Sequence, residues 1–120
     1  MTPTTSAPAG HAAVADLEEV VRRHGESVET LTALEQHIQS EAKRLEAEIG
    51  TLEEAVDEVP TSSPDGGALD RHGLRVQIAN AQLTREQHAH ELGRLRHEIA
   101  DTKAGRDEAV SELESLKADQ

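Results

Sequence analysis

The sequence contains no phenylalanine, tryptophan, tyrosine or cysteine. Aromatic side chains supply much of the buried area in ordinary globular cores and ligand pockets. A chain without them is not expected to build a thick core or a deep site for a small-molecule substrate. The absence of cysteine also excludes disulfide bonds and thiolate metal sites.

Long apolar runs and positive charge are scarce as well. No segment approaches the roughly 18 apolar residues that cross a bilayer, and no basic stretch followed by an apolar core marks a signal peptide. Acidic residues number 24 and basic residues 12, which gives a formal charge of −12. Nucleic acids and anionic membranes bind positive surfaces, so neither is expected as a partner. The expected location is the cytoplasm or a virion.

The residues that are present favour long helices with a narrow apolar seam. Residues 1–12 form a Pro/Thr-rich tail, and helical patterns cover residues 13–59 and 68–118. Between them, residues 60–67 (Pro-Thr-Ser-Ser-Pro-Asp-Gly-Gly) are a cluster of helix breakers, so they predict a turn. Ser63 or Asp65 is suited to capping the second helix.

Both helical segments carry a heptad repeat, which is the pattern of a coiled coil. In the first helix the a positions are Val14, Val21, Val28, Glu35, Ala42, Ile49 and Val56, and the d positions are Leu17, His24, Leu31, Ile38, Leu45, Leu52 and Val59. In the second, the a positions are Arg71, Ile78, Arg85, Leu92, Ile99, Arg106 and Leu113, and the d positions are Leu74, Ala81, His88, Leu95, Thr102, Ala109 and Leu116.

Charge at the edge of the seam favours an antiparallel hairpin over a parallel dimer. A parallel dimer would place Glu41 beside Glu46 of the second chain, and Glu48 beside Glu53, and such like-charge contacts are unfavourable. Folding back at residues 60–67 allows a register that places Val28 opposite Leu95, Leu45 opposite Ile78, Ile49 opposite Leu74, Ala42 opposite Ala81 and His24 opposite Ile99. The predicted fold is therefore an all-α, antiparallel two-helix coiled-coil hairpin that assembles into a larger bundle or multi-subunit particle.

The same register pairs the two polar exceptions, Glu35 and His88. An acid–imidazole pair is a candidate for general acid–base chemistry. A nucleophile and a substrate cavity are not expected beside it, so we interpret the pair as a polar core layer that fixes register. His88 points into the seam, whereas His90 and His97 both lie at f positions but two helical turns apart, too far for one ion, so these histidines do not predict a metal site. The sequence predicts no catalytic residue, no metal and no cofactor.

The most informative surface feature is an apolar stripe on the back of the second helix. Leu69, Val76 and Leu83 occupy successive f positions, which normally carry charge, with small residues beside them. One hypothesis is a face that binds a partner protein. The alternative is a local shift of the heptad that would make these residues part of the core.

These patterns predict a non-catalytic structural or assembly protein that acts through protein–protein contacts with subunits of its own or another kind. A component of a virion or phage particle is one such role. The alternative is a soluble adaptor or regulatory module that forms a helical bundle with a single partner. A symmetric array would favour the first role, and a defined hetero-complex the second.

Overall fold

The computed structural model describes residues 6–119, with side chains from residue 12 onward. Within that range the chain forms two helices, α1 (Ser6–Glu58) and α2 (Ala68–Ala118), and no strand. The helices pack against each other in a hairpin. The predicted all-α antiparallel hairpin is therefore confirmed.

The first helix begins earlier than the sequence predicted. It starts at Ser6 rather than at residue 13, so residues 6–12 of the predicted tail are helical, and residues 1–5 lie outside the described part of the chain. Pro8 lies in the first turn, where backbone N–H groups have no acceptor within the helix, so a proline there costs no helical hydrogen bond. At the other end Pro60 lacks an N–H group and cannot continue the helix beyond Glu58.

The chain divides into two compact units, and the first contains residues Met1–Leu34 and Leu95–Gln120. Its described core consists of residues at predicted a and d positions. Leu95 is the most enclosed of them, with 1% of its surface exposed. The other buried side chains in this unit are Val28, Ile99 and Ala109.

The second unit, Glu35–Arg94, contains the turn and the adjoining halves of both helices. Its buried apolar residues are Ile38, Ile49 and Ala81, which again occupy a and d positions. The seam arginines of this unit, Arg71 and Arg85, are half-buried, as expected when aliphatic stems pack and guanidinium groups reach water.

The turn between the helices is fixed by hydrogen bonds around Asp65. Its Oδ2 atom accepts from the backbone N–H of Leu69 at 3.0 Å, and its Oδ1 atom accepts from the N–H of Gly67 at 3.0 Å and from the Ser63 hydroxyl at 2.8 Å. These bonds satisfy N–H groups that the start of α2 would otherwise leave without a partner. They also hold the pKa of Asp65 below its usual value, with the bond from Leu69 contributing most.

This lowered pKa predicts a pH dependence of hairpin stability. Because the folded state favours the ionised carboxylate, Asp65 stabilises the hairpin above the pKa it has in the unfolded chain, about 3.9. That contribution is lost as the pH falls through the lower pKa of the folded state. Asp65→Asn, which keeps a capping oxygen, should therefore lose less thermal stability than the wild type between about pH 5 and pH 2.

Thermal melts of both proteins, followed by circular dichroism, measure this difference. The subtraction isolates Asp65 because the two chains differ only at this side chain. Parallel loss of stability in the wild type and in Asp65→Asn would show that the cap does not depend on the charge.

The register of the hairpin differs from the predicted one. In the first unit, a methyl group placed on Gly105 would lie 3.0 Å from Cε1 of His24. His24 therefore packs at the level of Gly105, whereas the predicted register placed it opposite Ile99, nearly two helical turns earlier in α2.

Contacts in the second unit agree with this correction. Val59 would lie opposite Pro64 in the predicted register, yet its side chain packs against Gly67, beside the guanidinium of Arg71. Ala42, which the predicted register placed opposite Ala81, lines one groove together with Arg85 and Ala89. Both observations fit a register in which each residue of α1 packs against a residue of α2 that lies about seven positions later than predicted. A shift of one heptad keeps every a and d position in the seam, so the apolar pattern could not distinguish the two registers.

Candidate protein-interaction site

The back-face stripe consists of Leu69, Val76 and Leu83, and all three side chains are exposed. The exposed fractions are 73%, 45% and 55%. Successive members are seven residues apart, so the stripe extends about 21 Å along one side of α2. Large apolar side chains that share one exposed helix face are typical of surfaces that bind another protein.

A shifted heptad does not account for the stripe. In the same stretch of α2, Leu74 and Ile78 are half-buried and Ala81 is buried, all at the predicted seam positions. The seam therefore keeps its phase through residues 69–83. The alternative in which Leu69, Val76 and Leu83 belong to the core is wrong.

Most of the residues that border the stripe are small, and none of those on the same outer face is an acidic residue, a lysine or an arginine. Its exposed neighbours on the same outer face are His72, Gly73, Ala79 and Asn80. The exposed charged side chains between Leu69 and Leu83 are Asp70 and Arg75, which lie on the two flanks of the helix. Short side chains beside Val76 let a second helix backbone approach closely.

The two helices of this unit differ sharply in charge. The outer surface of α1 carries six exposed carboxylates between residues 46 and 58: Glu46, Glu48, Glu53, Glu54, Asp57 and Glu58. The Glu-rich run at residues 41–54 is visible in the sequence, where it predicts a solvated face of the first helix. The acidic surface lies on α1, and the back-face stripe on α2 is uncharged.

The predicted polar core layer is not supported by the register. Glu35 and His88 are both half-buried. Arg85 and Ala89, which lie three residues before and one residue after His88, share their groove with Ala42. Ala42 lies one heptad after Glu35, about 10 Å along the helix. The Nδ1 atom of His88 is buried and has no hydrogen-bond partner among the described residues.

A cluster of ion pairs occupies the exposed surface of α1 in the first unit. Arg22 donates hydrogen bonds to Glu19, including one of 2.9 Å from Nε, and Arg23 donates to Glu19 at 3.0 Å. These bonds, that from Arg22 foremost, lower the pKa of Glu19 to about 2. Arg22 also pairs with Glu26 at 2.6 Å. Each side chain has a charged partner within its own helix, and exposed pairs of this kind contribute little to stability.

Two further apolar side chains are partly exposed, and both lie on α1. Val20 and Leu34, with exposed fractions of 37% and 41%, lie at g positions beside the seam. Among the side chains that the structure describes, those of residues 12–119, no group of three or more histidine, cysteine or acidic residues could hold a metal ion. Over the same range, neither helix includes a segment long and apolar enough to span a membrane.

Comparisons with known proteins do not place this chain in a family. The sequence matches no protein-family model, and no significant similarity relates it to a curated protein or to a solved structure.

Proposed function

We propose that this protein is a non-catalytic, coiled-coil assembly protein that acts by binding other protein subunits through the back-face stripe. The observation that supports this most directly is the exposure of Leu69, at 73%, in line with Val76 and Leu83 on one side of α2. Burying these side chains against a partner would contribute favourable free energy at about 25 cal/mol per Å² of apolar surface.

The composition supports a role in binding over one in catalysis. The described cores are a thin seam of aliphatic side chains, and the chain has no aromatic residue with which to line a pocket. Helical hairpins of this kind bury a narrow stripe, so packing against further subunits adds to their stability. A subunit of a larger particle, such as a virion or phage particle, is one setting for this activity.

Site-specific photo-crosslinking tests the proposal. A photoreactive residue at Asn80, which is exposed between Val76 and Leu83, should form adducts with protein in an extract of the source cells. The matched control is the same residue at Asp101, which is also exposed and occupies the same heptad position in α2. Adducts at position 80 and none at position 101 are the expected result.

Absence of adducts at both positions, or equal adducts at both, would refute the proposed function. The stoichiometry of the adducts distinguishes the two kinds of binding protein. Ladders of increasing mass favour an assembly subunit. A single hetero-complex of fixed mass favours the alternative, a soluble adaptor that binds one partner.

A further inference from the structure

We infer that the partner of the back-face stripe is the same stripe on a second copy of this chain, so that two α2 helices pack back to back. This inference rests on the proposed function, because it names the partner of the same surface. A two-fold interface of this kind requires a patch that is complementary to itself. Three features of the stripe meet that requirement.

The first feature is a second heptad seam on α2. Leu69, Gly73, Val76, Asn80 and Leu83 are separated alternately by four and three residues, and all five are exposed. This alternation is the spacing of a coiled-coil interface. Since the other seam of α2 packs within the hairpin, the helix has two packing faces and the hairpin uses one.

The second feature is the size of the residues that alternate with the apolar ones. Gly73 has no side chain and Ala79 has a single methyl group, so both are shorter than Leu69, Val76 and Leu83. In a two-fold pair centred near Val76, Leu69 of one copy would pack near Leu83 of the other. Large side chains would then enter the spaces above small residues, as ridges fit into grooves between helices.

The third feature is charge. A basic partner helix would be attracted to the carboxylates on α1, which include Glu46, Glu53 and Asp57, and would find no matching charge around Val76. An acidic partner would find no cationic patch there either, since Arg75 lies alone on one flank. The chain has a net charge of −12, but the stripe itself is uncharged. Such a surface is complementary to another uncharged surface, and the stripe of a second copy of the chain is one.

The size of the interface sets the expected affinity. A contact of about 21 Å along one helix is at the small end of specific interfaces, which usually bury about 1,200–2,000 Å² in total. We therefore expect a dimer in reversible exchange, with a Kd of about 10–100 µM. Because the interface is apolar and the remaining surface is acidic, added salt should leave the Kd unchanged or reduce it.

Sedimentation equilibrium of the purified full-length chain tests the inference, at concentrations from about 10 µM to 1 mM. The wild type should pass from monomer to dimer across this range. Val76→Glu places a carboxylate in the interface of both copies and should raise the Kd by about 100-fold or more. The matched control is Ala104→Glu, at an exposed f position elsewhere on α2, which should dimerise as the wild type does.

A third variant gives a result in the opposite direction. Asn80→Leu adds an apolar side chain to the second seam and should lower the Kd by about 10-fold. Circular dichroism spectra of all variants establish that each remains helical. Because these spectra exclude loss of helix, a gain in affinity at position 80 is attributed to the added apolar side chain.

The inference is overturned if the wild type stays monomeric at the highest concentration, or if Val76→Glu and Ala104→Glu weaken the dimer equally. A monomeric wild type that still forms adducts through position 80 in the cell extract would reject self-pairing and retain the proposed function, with a hetero-partner on the stripe. A monomeric wild type without adducts would reject both.

Discussion

Replacing Leu95 with alanine is expected to remove most of the stability of the hairpin. The side chain is 1% exposed, and truncating a leucine enclosed to this degree costs about 2–5 kcal/mol in lost burial and residual cavity. A thin helical core of this kind supplies only about 3–5 kcal/mol in total. Urea unfolding followed by far-ultraviolet circular dichroism should show the midpoint of Leu95→Ala falling by half or more, with part of the helix signal lost before urea is added.

Leu69→Ala is the matched control, because it makes the same chemical change in the same helix at a side chain that is 73% exposed. Its effect on the unfolding free energy should be within about 0.5 kcal/mol of zero. The comparison should be made at low protein concentration, where self-association through the back-face stripe does not contribute. Equal midpoints for the two variants would contradict the assignment of Leu95 to the core and of Leu69 to the surface.

The second large effect is expected at the turn, where Gly67→Ala should destabilise the hairpin by about 2–4 kcal/mol. Gly67 has a φ of 81°, which lies in the left-handed region that residues other than glycine disfavour. An alanine methyl group there would also lie 2.6 Å from Cγ1 of Val59 and 2.7 Å from the carbonyl oxygen of Pro60. Relieving these contacts requires the end of α1 to move away from the start of α2.

Gly66→Ala separates the steric contribution from the backbone contribution. Gly66 also has a positive φ, of 64°, but a methyl group on it would meet no atom within 4 Å. Gly66→Ala should therefore lower the unfolding free energy by about 1 kcal/mol, which is the penalty for the backbone conformation alone. Urea midpoints measured for both variants give the comparison. Equal losses would show that the close approach of Gly67 to Val59 and Pro60 does not contribute to stability.

The seam of the hairpin could be predicted from the sequence because burial follows the heptad repeat. Every residue in the described core, from Val28 to Ala109, occupies a predicted a or d position. The exposure of Leu69, Val76 and Leu83 could be anticipated in part. The sequence left open whether the heptad shifts near them, and the burial of Ala81 decides against a shift.

The register could not be predicted by the same means. A hairpin displaced by seven residues has an equally apolar seam, so the choice depends on the turn, whose geometry is not periodic. The apparent match of Glu35 with His88 favoured the shorter turn. In the structure the turn includes two glycines with positive φ and a glycine-to-valine contact, and this arrangement requires a longer connection between the paired parts of the helices. Similarly, no periodic signal indicated that the helix would begin as early as Ser6.

The Asp65-centred turn also bears on how the chain avoids exchanging helices with its neighbours. A sequence that replaced residues 59–67 with good helix formers could join α1 and α2 into one continuous helix, whose seam would then be satisfied by another chain. The breakers and the capping bonds make that conformation unfavourable, and the short connection makes closure within one molecule entropically inexpensive. The turn thus separates two kinds of association. It keeps the seam intramolecular, and it leaves the outer face of α2 as the surface through which copies can meet reversibly.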